Sequence, residues 1–150
     1  MTDKELRNMG LHRIENPSHD NAMIPLTPWP DFPLRFTVEY PVADFPLEVG
    51  FWAEKMGLQF LVLDAVYAVC TDKQNSFTFS FQASQEASDL SAIKIQWFTD
   101  KLDEAIAYLN AKQVLYEMHQ HSPIQRFARF RSPAGVTVEI WSGDEGNKGE

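Results

Sequence analysis

The sequence predicts an α+β domain built from two βαβββ modules, and three features carry that prediction. Two stretches, at 34–57 and 92–112, change from the period of a half-buried strand to that of an amphipathic helix. Each is followed by three short apolar runs separated by turn residues. The same five elements therefore recur at roughly fifty to sixty residues, which reads as an internal duplication.

The first module spans about 34–83. From Leu34 to Tyr40, Leu34, Phe36, Val38 and Tyr40 alternate with Arg35, Thr37 and Glu39, as in a strand with one face in a core, and Pro41 is expected to stop it. Asp44 offers a carboxylate to a helix start, Pro46 fits the first turn, and Gly57 ends the helix. Val49, Trp52 and Met56 share one face of it, with Leu47 and Phe51 beside them. LQFLVLD and AVYAVC read as strands, TDKQNS as a turn, and SFTFSFQ as a strand with Phe77, Phe79 and Phe81 on one face. ASQEASDLS is the connection to the second module, about 92–142. There Ile93, Ile95 and Trp97 alternate with Lys94 and Gln96. Asp100 to Lys112 then carries Leu102, Ala105, Ile106 and Leu109 at helical spacing behind an Asp100 cap. VLYEMHQH, RFARFR and VTVEIW complete the set, with Ser132-Pro133-Ala134-Gly135 as the last turn.

Residues 1–33 form an arm. A short helix could run from Asp3 to about Ile14, whereas Pro17, Pro25, Pro28, Pro30 and Pro33 oppose a regular element afterwards. Its apolar residues are too many for a free tail, so Trp29 and Phe32 are expected to lie against the domain or a partner subunit. Residues 143–150 read as a polar tail.

With 44% hydrophobic and 23% charged residues, 150 residues suffice for one domain with a core. No apolar run matches a bilayer, and the charged start MTDKELRNMG is unlike a secretory signal, so the expected compartment is the cytoplasm. The net charge of −8 argues against nucleic acid, which is bound through clustered Lys and Arg, and is compatible with a cationic small molecule. The single cysteine, Cys70, lies in an apolar run and reads as a buried thiol.

Val42-Ala43-Asp44, Phe51-Trp52 and Met56-Gly57 resemble the V-x-D, F-Y and L-G signposts that open a module of the vicinal oxygen chelate superfamily. That superfamily holds glyoxalase I, extradiol dioxygenases and bleomycin-resistance proteins. SPAGVTVEIW is similar to its D-P-x-G-n-x-x-E-hydrophobe ending, with Ser132 where Asp is usual; Gln113 stands where a glycine commonly ends the second helix. The resemblance covers about 34–142. It implies that the modules pair into a curved mixed sheet, helices on one face and a concave ligand face on the other, with a cavity often completed in a homodimer.

Alternation by itself sorts residues onto the two faces. Leu34, Phe36 and Val38, Phe77 to Phe81, Ile93 to Trp97 and Val136 to Ile140 take the helix side, and Thr37, Glu39, Lys94, Gln96, Thr137, Glu139 and Trp141 the other. Metal-dependent members of the superfamily hold a divalent ion there with four side chains. The family's spacing puts Thr37 and Lys94 at two ligand positions, and neither residue type suits one. Glu139 alone matches by type and place. The module-one counterpart falls among Thr78, Ser80 and Gln82. No metal or other cofactor is therefore expected; the alternative is a recruited set of Glu139, His119, His121 and Glu39. A Lys94 ammonium paired with Glu139 could occupy the cation's place. Arg126, Arg129 and Arg131, by contrast, read as a solvated face. The expected ligand residues are Thr37, Glu39, Lys94, Gln96, Glu139 and Trp141. The resemblance implies a metal-free protein that sequesters a small molecule, in the manner of the bleomycin-resistance branch. The alternative is a divergent metal-dependent lyase, isomerase or dioxygenase, and no Ser, Cys or His nucleophile stands beside a paired base.

Overall fold

The computed structural model describes residues 2–13, 23–25 and 36–143, in two compact units, Met1–Arg35 and Phe36–Glu150. In the first unit, helix α1 (Asp3–Asn8) is capped reciprocally: Glu5 N–H donates to Thr2 Oγ1 at 3.2 Å and Thr2 N–H to Glu5 Oε2 at 2.6 Å. Strands β1 (Leu11–Arg13) and β2 (Met23–Pro25) pair antiparallel, so the arm holds a strand where its prolines had argued against one. Pro25 closes that ladder at its end, where a missing N–H costs least. Trp29 and Phe32 lie outside the described residues.

The second unit contains β3 (Glu39–Val42), α2 (Phe45–Gly50) continued by a π turn (Phe51–Lys55), β4 (Gln59–Leu63), β5 (Tyr67–Thr71) and β6 (Thr78–Ala83). These are followed by β7 (Lys94–Thr99), α3 (Leu102–Ala111), β8 (Glu117–Ser122), β9 (Gln125–Arg131) and β10 (Thr137–Ser142). The strands form two four-stranded mixed sheets, β3-β6-β5-β4 and β7-β10-β9-β8. In each sheet the first strand of the module runs parallel to the last, and the remaining pairs are antiparallel. The α+β fold of two βαβββ modules is thus present, element by element.

Several boundaries differ from expectation for local reasons. The first strand begins at Glu39, which pairs with Ser80 of the parallel strand β6, rather than at Leu34. Phe36 and Val38 are 80% and 50% exposed, and their neighbours Thr37 and Glu39 are exposed as well, so the two do not join the helix-side core. Pro41 does not end the strand: β3 is a sheet edge, where the missing N–H has no ladder partner to lose. Asp44 caps α2 as expected, its Oδ1 accepting from Leu47 N–H at 3.2 Å. At α3 the cap is Lys101 without a side-chain bond, not Asp100; Thr99 Oγ1 accepts from Lys101 N–H at 3.0 Å. Gly57 follows the π turn at φ +68°, and a Cβ there would meet Tyr108 Oη at 2.9 Å. Gln113 takes the same left-handed turn after α3, at φ +59° and without glycine's freedom. Ser132 does the work expected of an Asp in the last turn, its Oγ accepting from Val136 N–H at 3.3 Å.

One core serves both modules. Trp52 is fully buried and packs on Phe79 and Trp97 at centroid distances of 4.8 and 6.2 Å, while Phe51 reaches Phe130 at 6.4 Å. Glu48 is buried within it. Its Oε2 accepts from Tyr40 Oη at 2.7 Å and Trp52 Nε1 at 3.1 Å, and its Oε1 from Ala134 N–H at 2.9 Å, tying α2 to the β9–β10 turn. Burial first, then the nearby Glu48 charge, push the Tyr40 phenol and the Cys70 thiol well above their ordinary ranges. Cys70 is the inert core thiol its sequence context suggested.

Candidate functional site

The face of the second sheet turned away from α3 carries two adjacent cross-strand rows. Register fixes both. Gln96 pairs with Glu139, Glu139 with Arg129, and Arg129 with Glu117; two residues further, Phe98 pairs with Trp141, Trp141 with Phe127, and Phe127 with His119. One row is polar and the other aromatic, each crossing all four strands.

The polar row is centred on Glu139, whose side chain is wholly buried. Its Oε1 accepts from Gln96 Nε2 at 3.0 Å and Trp141 Nε1 at 2.9 Å. Its Oε2 accepts from Arg129 Nε at 2.9 Å, and Arg129 Nη2 lies 2.7 Å away. Lys94 Nζ stands 3.6 Å from the same oxygen, too far for a hydrogen bond. Burial alone would raise the Glu139 pKa; the bonds from Gln96, Trp141 and Arg129 and the Lys94 charge outweigh it and hold it at about 2. The carboxylate is therefore ionised, with both oxygens occupied.

In the aromatic row, Trp141 and Phe127 stack face to face at 4.2 Å and 15°, and Phe127 stacks on His119 at 5.0 Å and 15°. Phe98 leans over Trp141 at 6.2 Å and 34°, and His121 meets Trp141 edge-on at 5.0 Å. His121 shares the face of His119 by alternation, and the register of β8 shifts beside it, between Gln120 and Ser122. Arg129 also lies over the Phe127 ring, 5.2 Å from its centroid.

The first sheet's corresponding face is different. Counting back from the helix caps Asp44 and Lys101, Glu39 corresponds to Gln96 and Thr37 to Lys94, and strand pairing then matches Ser80 with Glu139. Here the carboxylate is on the first strand and exposed, with Ser80 Oγ 3.4 Å from Glu39 Oε1. Thr37 is exposed as well.

The structure thus brings together Lys94, Gln96, Glu139 and Trp141 of the expected ligand residues and leaves Thr37 and Glu39 on the other sheet. Arg129 is a partner of Glu139 rather than part of a solvated face. Reading the alternation through β9 from the Trp141–Phe127 pairing is the signal that would have found it, together with Phe127. Phe98 shares the parity of Lys94 and Gln96 and was equally legible.

The residues present do not fit a divalent ion of the superfamily's kind. Thr37 and Lys94 are unsuited donors, and Glu139 is saturated by donors of the protein itself. The recruited alternative is not assembled either: Glu39 bonds Ser80, and His119 Nε2 lies 3.4 Å from Glu117 Oε2 while its ring stacks on Phe127. Among the described residues, no three His, Cys, Asp or Glu side chains form a group able to hold a metal ion. A cavity of about 240 Å³ opens by the edge strands β3 and β7, and Lys94 and Gln96 of the polar row line it together with Val38, Phe77, Ile95 and Trp97.

No model of a known protein family matches the sequence, and no curated protein matches it significantly. Solved structures do match the fold. A glyoxalase/bleomycin resistance protein/dioxygenase from Nocardioides superposes with a TM-score of 0.64 at 15% identity, covering 81% of this chain and 91% of that one. TnmS3, an antibiotic binding protein from Streptomyces sp. CB03234, gives 0.63 at 16% identity, covering 77% and 100%. Lactoylglutathione lyase from Agrobacterium tumefaciens gives 0.59 at 17% identity, covering 76% and 96%. The chain has the vicinal oxygen chelate fold.

Proposed function

We propose that this chain, with the fold of glyoxalase, bleomycin-resistance and dioxygenase proteins, is a metal-free protein that binds a small molecule. The ligand seats on the second module's open face, against the row of Phe98, Trp141, Phe127 and His119. The observation that carries this reading is the saturation of Glu139: Gln96, Trp141 and Arg129 fill the carboxylate that a metal would need. Fold alone does not choose among the superfamily's activities, so the reading rests on the site. The same fold in an antibiotic binding protein is consistent with it. A divergent metal-dependent lyase, isomerase or dioxygenase would need Glu139 released from Arg129 and new donors brought to it.

We further propose a homodimer. Leu61, Val62, Leu63 and Val66, between 41% and 58% exposed, cluster on the edge strand β4 and the turn after it, a surface a second copy would cover. The acidic composition and the absence of a described helix long and apolar enough to cross a membrane are compatible with the cytoplasm. Calorimetric titration with the neutral bicyclic amide 2-naphthaleneacetamide tests the binding reading. Saturable binding that Trp141→Ala removes supports it; no heat with the wild type contradicts it.

A further inference from the structure

Resting on the reading of this face as a ligand site, we propose that its natural ligand is an aromatic anion, a flat ring system bearing a carboxylate or similar acidic group that Lys94 engages. The hydrogen-bonding groups left unused on this face point to the charge of its guest. Glu139 has both oxygens occupied and contributes no acceptor to a ligand. What the polar row leaves over are donors, and in the row beside it His119 Nε2 is buried without a hydrogen-bond partner among the described residues. The Lys94 side chain is 46% exposed and its ammonium makes no hydrogen bond among the described residues. Arg129 turns Nε and Nη2 to Glu139, leaving Nη1, on a side chain 36% exposed. A ligand that completes this face brings acceptors.

The aromatic row points the same way. A cation is attracted to the face of an aromatic ring, and anions and acceptors to its edge. Phe127 has its faces against Trp141 and His119, with Arg129 also over the ring, while Trp141 has Phe127 on one side and Phe98 and His121 as further neighbours. With those faces taken, the row turns ring edges outward. Charge supports the same sign: around Glu139 stand Arg129 and Lys94, two cations to one anion, so the cluster is positive in a chain whose net charge is −8. The remaining charges of this face are paired or peripheral. Glu117 sits on the edge strand beside His119, and Arg131 interacts with Asp89. The cationic guest that the overall composition allowed is thus the one this face suits least.

Three probes that share a ring and differ in charge decide it: 2-naphthaleneacetate, its neutral amide, and 2-(2-naphthyl)ethylammonium, each titrated calorimetrically into the full chain. The acid is expected to bind about tenfold tighter than the amine, with the amide between them. Lys94→Met is expected to weaken the acid about fivefold and leave the amide unchanged. Trp141→Ala weakens all three; Phe98→Leu, which leaves every partner of Glu139 in place, replaces it if that variant does not fold. Equal affinities, or a preference for the amine, overturn the charge assignment and leave the binding reading standing. An acid preference that survives Lys94→Met overturns the role of Lys94. If none of the three binds the wild type, the ligand face itself is wrong.

Discussion

The two modules repeat one strand order and differ in what they present on the faces turned from their helices. In the first, Thr37 and Glu39 stand exposed, and the carboxylate meets only a serine. In the second, the carboxylate has moved to the last strand as Glu139, is buried, and is enclosed by Gln96, Trp141, Arg129 and Lys94 beside a row of rings. A scaffold that needs only alternation and turns leaves these outward positions open to change. The bonded carboxylate and the row of rings both lie on one half. The helix side shows the reverse asymmetry: Glu48 of module one is buried among the neutral donors Tyr40, Trp52 and Ala134, whereas module two has Ala105 at the corresponding place.

The largest expected effect sharpens this contrast. Arg129→Ala takes the bonded cation from a buried carboxylate, leaving it Gln96, Trp141 and the more distant Lys94, and should cost about 3 kcal/mol in urea unfolding, while Glu39→Gln on the first module should change stability by less than about 0.5 kcal/mol. Equal effects would mean the two faces are energetically alike. The pH dependence has the same origin. The Glu139 pKa is depressed in the folded state, so its stabilisation is complete above the unfolded value and is lost as the proton binds between about pH 4.5 and about pH 2. The loss should amount to about 3 kcal/mol and be absent from Glu139→Gln, as urea midpoints measured against pH would show.

Smaller effects test the helix sides. Glu48→Gln places an amide donor against three existing donors and should cost about 1–3 kcal/mol. The two helix ends give opposite signs. Gln113→Gly relieves a left-handed side-chain residue and should stabilise by up to about 1 kcal/mol, whereas Gly57→Ala sets a Cβ against Tyr108 Oη and should destabilise. The smallest effect concerns Lys94, whose exposure limits its coupling to Glu139 to about 1 kcal/mol or less in a double-mutant cycle. A coupling of several kcal/mol would return the ammonium to the place that Arg129 now holds.

Most of the fold was legible in the sequence because periodicity and turn residues act locally. Asp44, Gly57 and the SPAG turn behave as their residue types require. The errors arose where pairing decides: β3 pairs with β6 only from Glu39 onward, and Pro41 is harmless on an edge. The site was half legible. Lys94, Gln96, Glu139 and Trp141 followed from alternation, but the assignment of Arg129 and Phe127 needed the register of β9 against β10, which a single sequence does not state.

The central claim is that donors of the protein close Glu139, the one residue that suits a metal-ligand position by type and place. Elemental analysis of the chain purified without chelators tests it directly. The account predicts zinc, iron, nickel and manganese well below one ion per chain, and no change in thermal stability on adding a chelator. About one ion per chain, lost in Glu139→Gln, would contradict it.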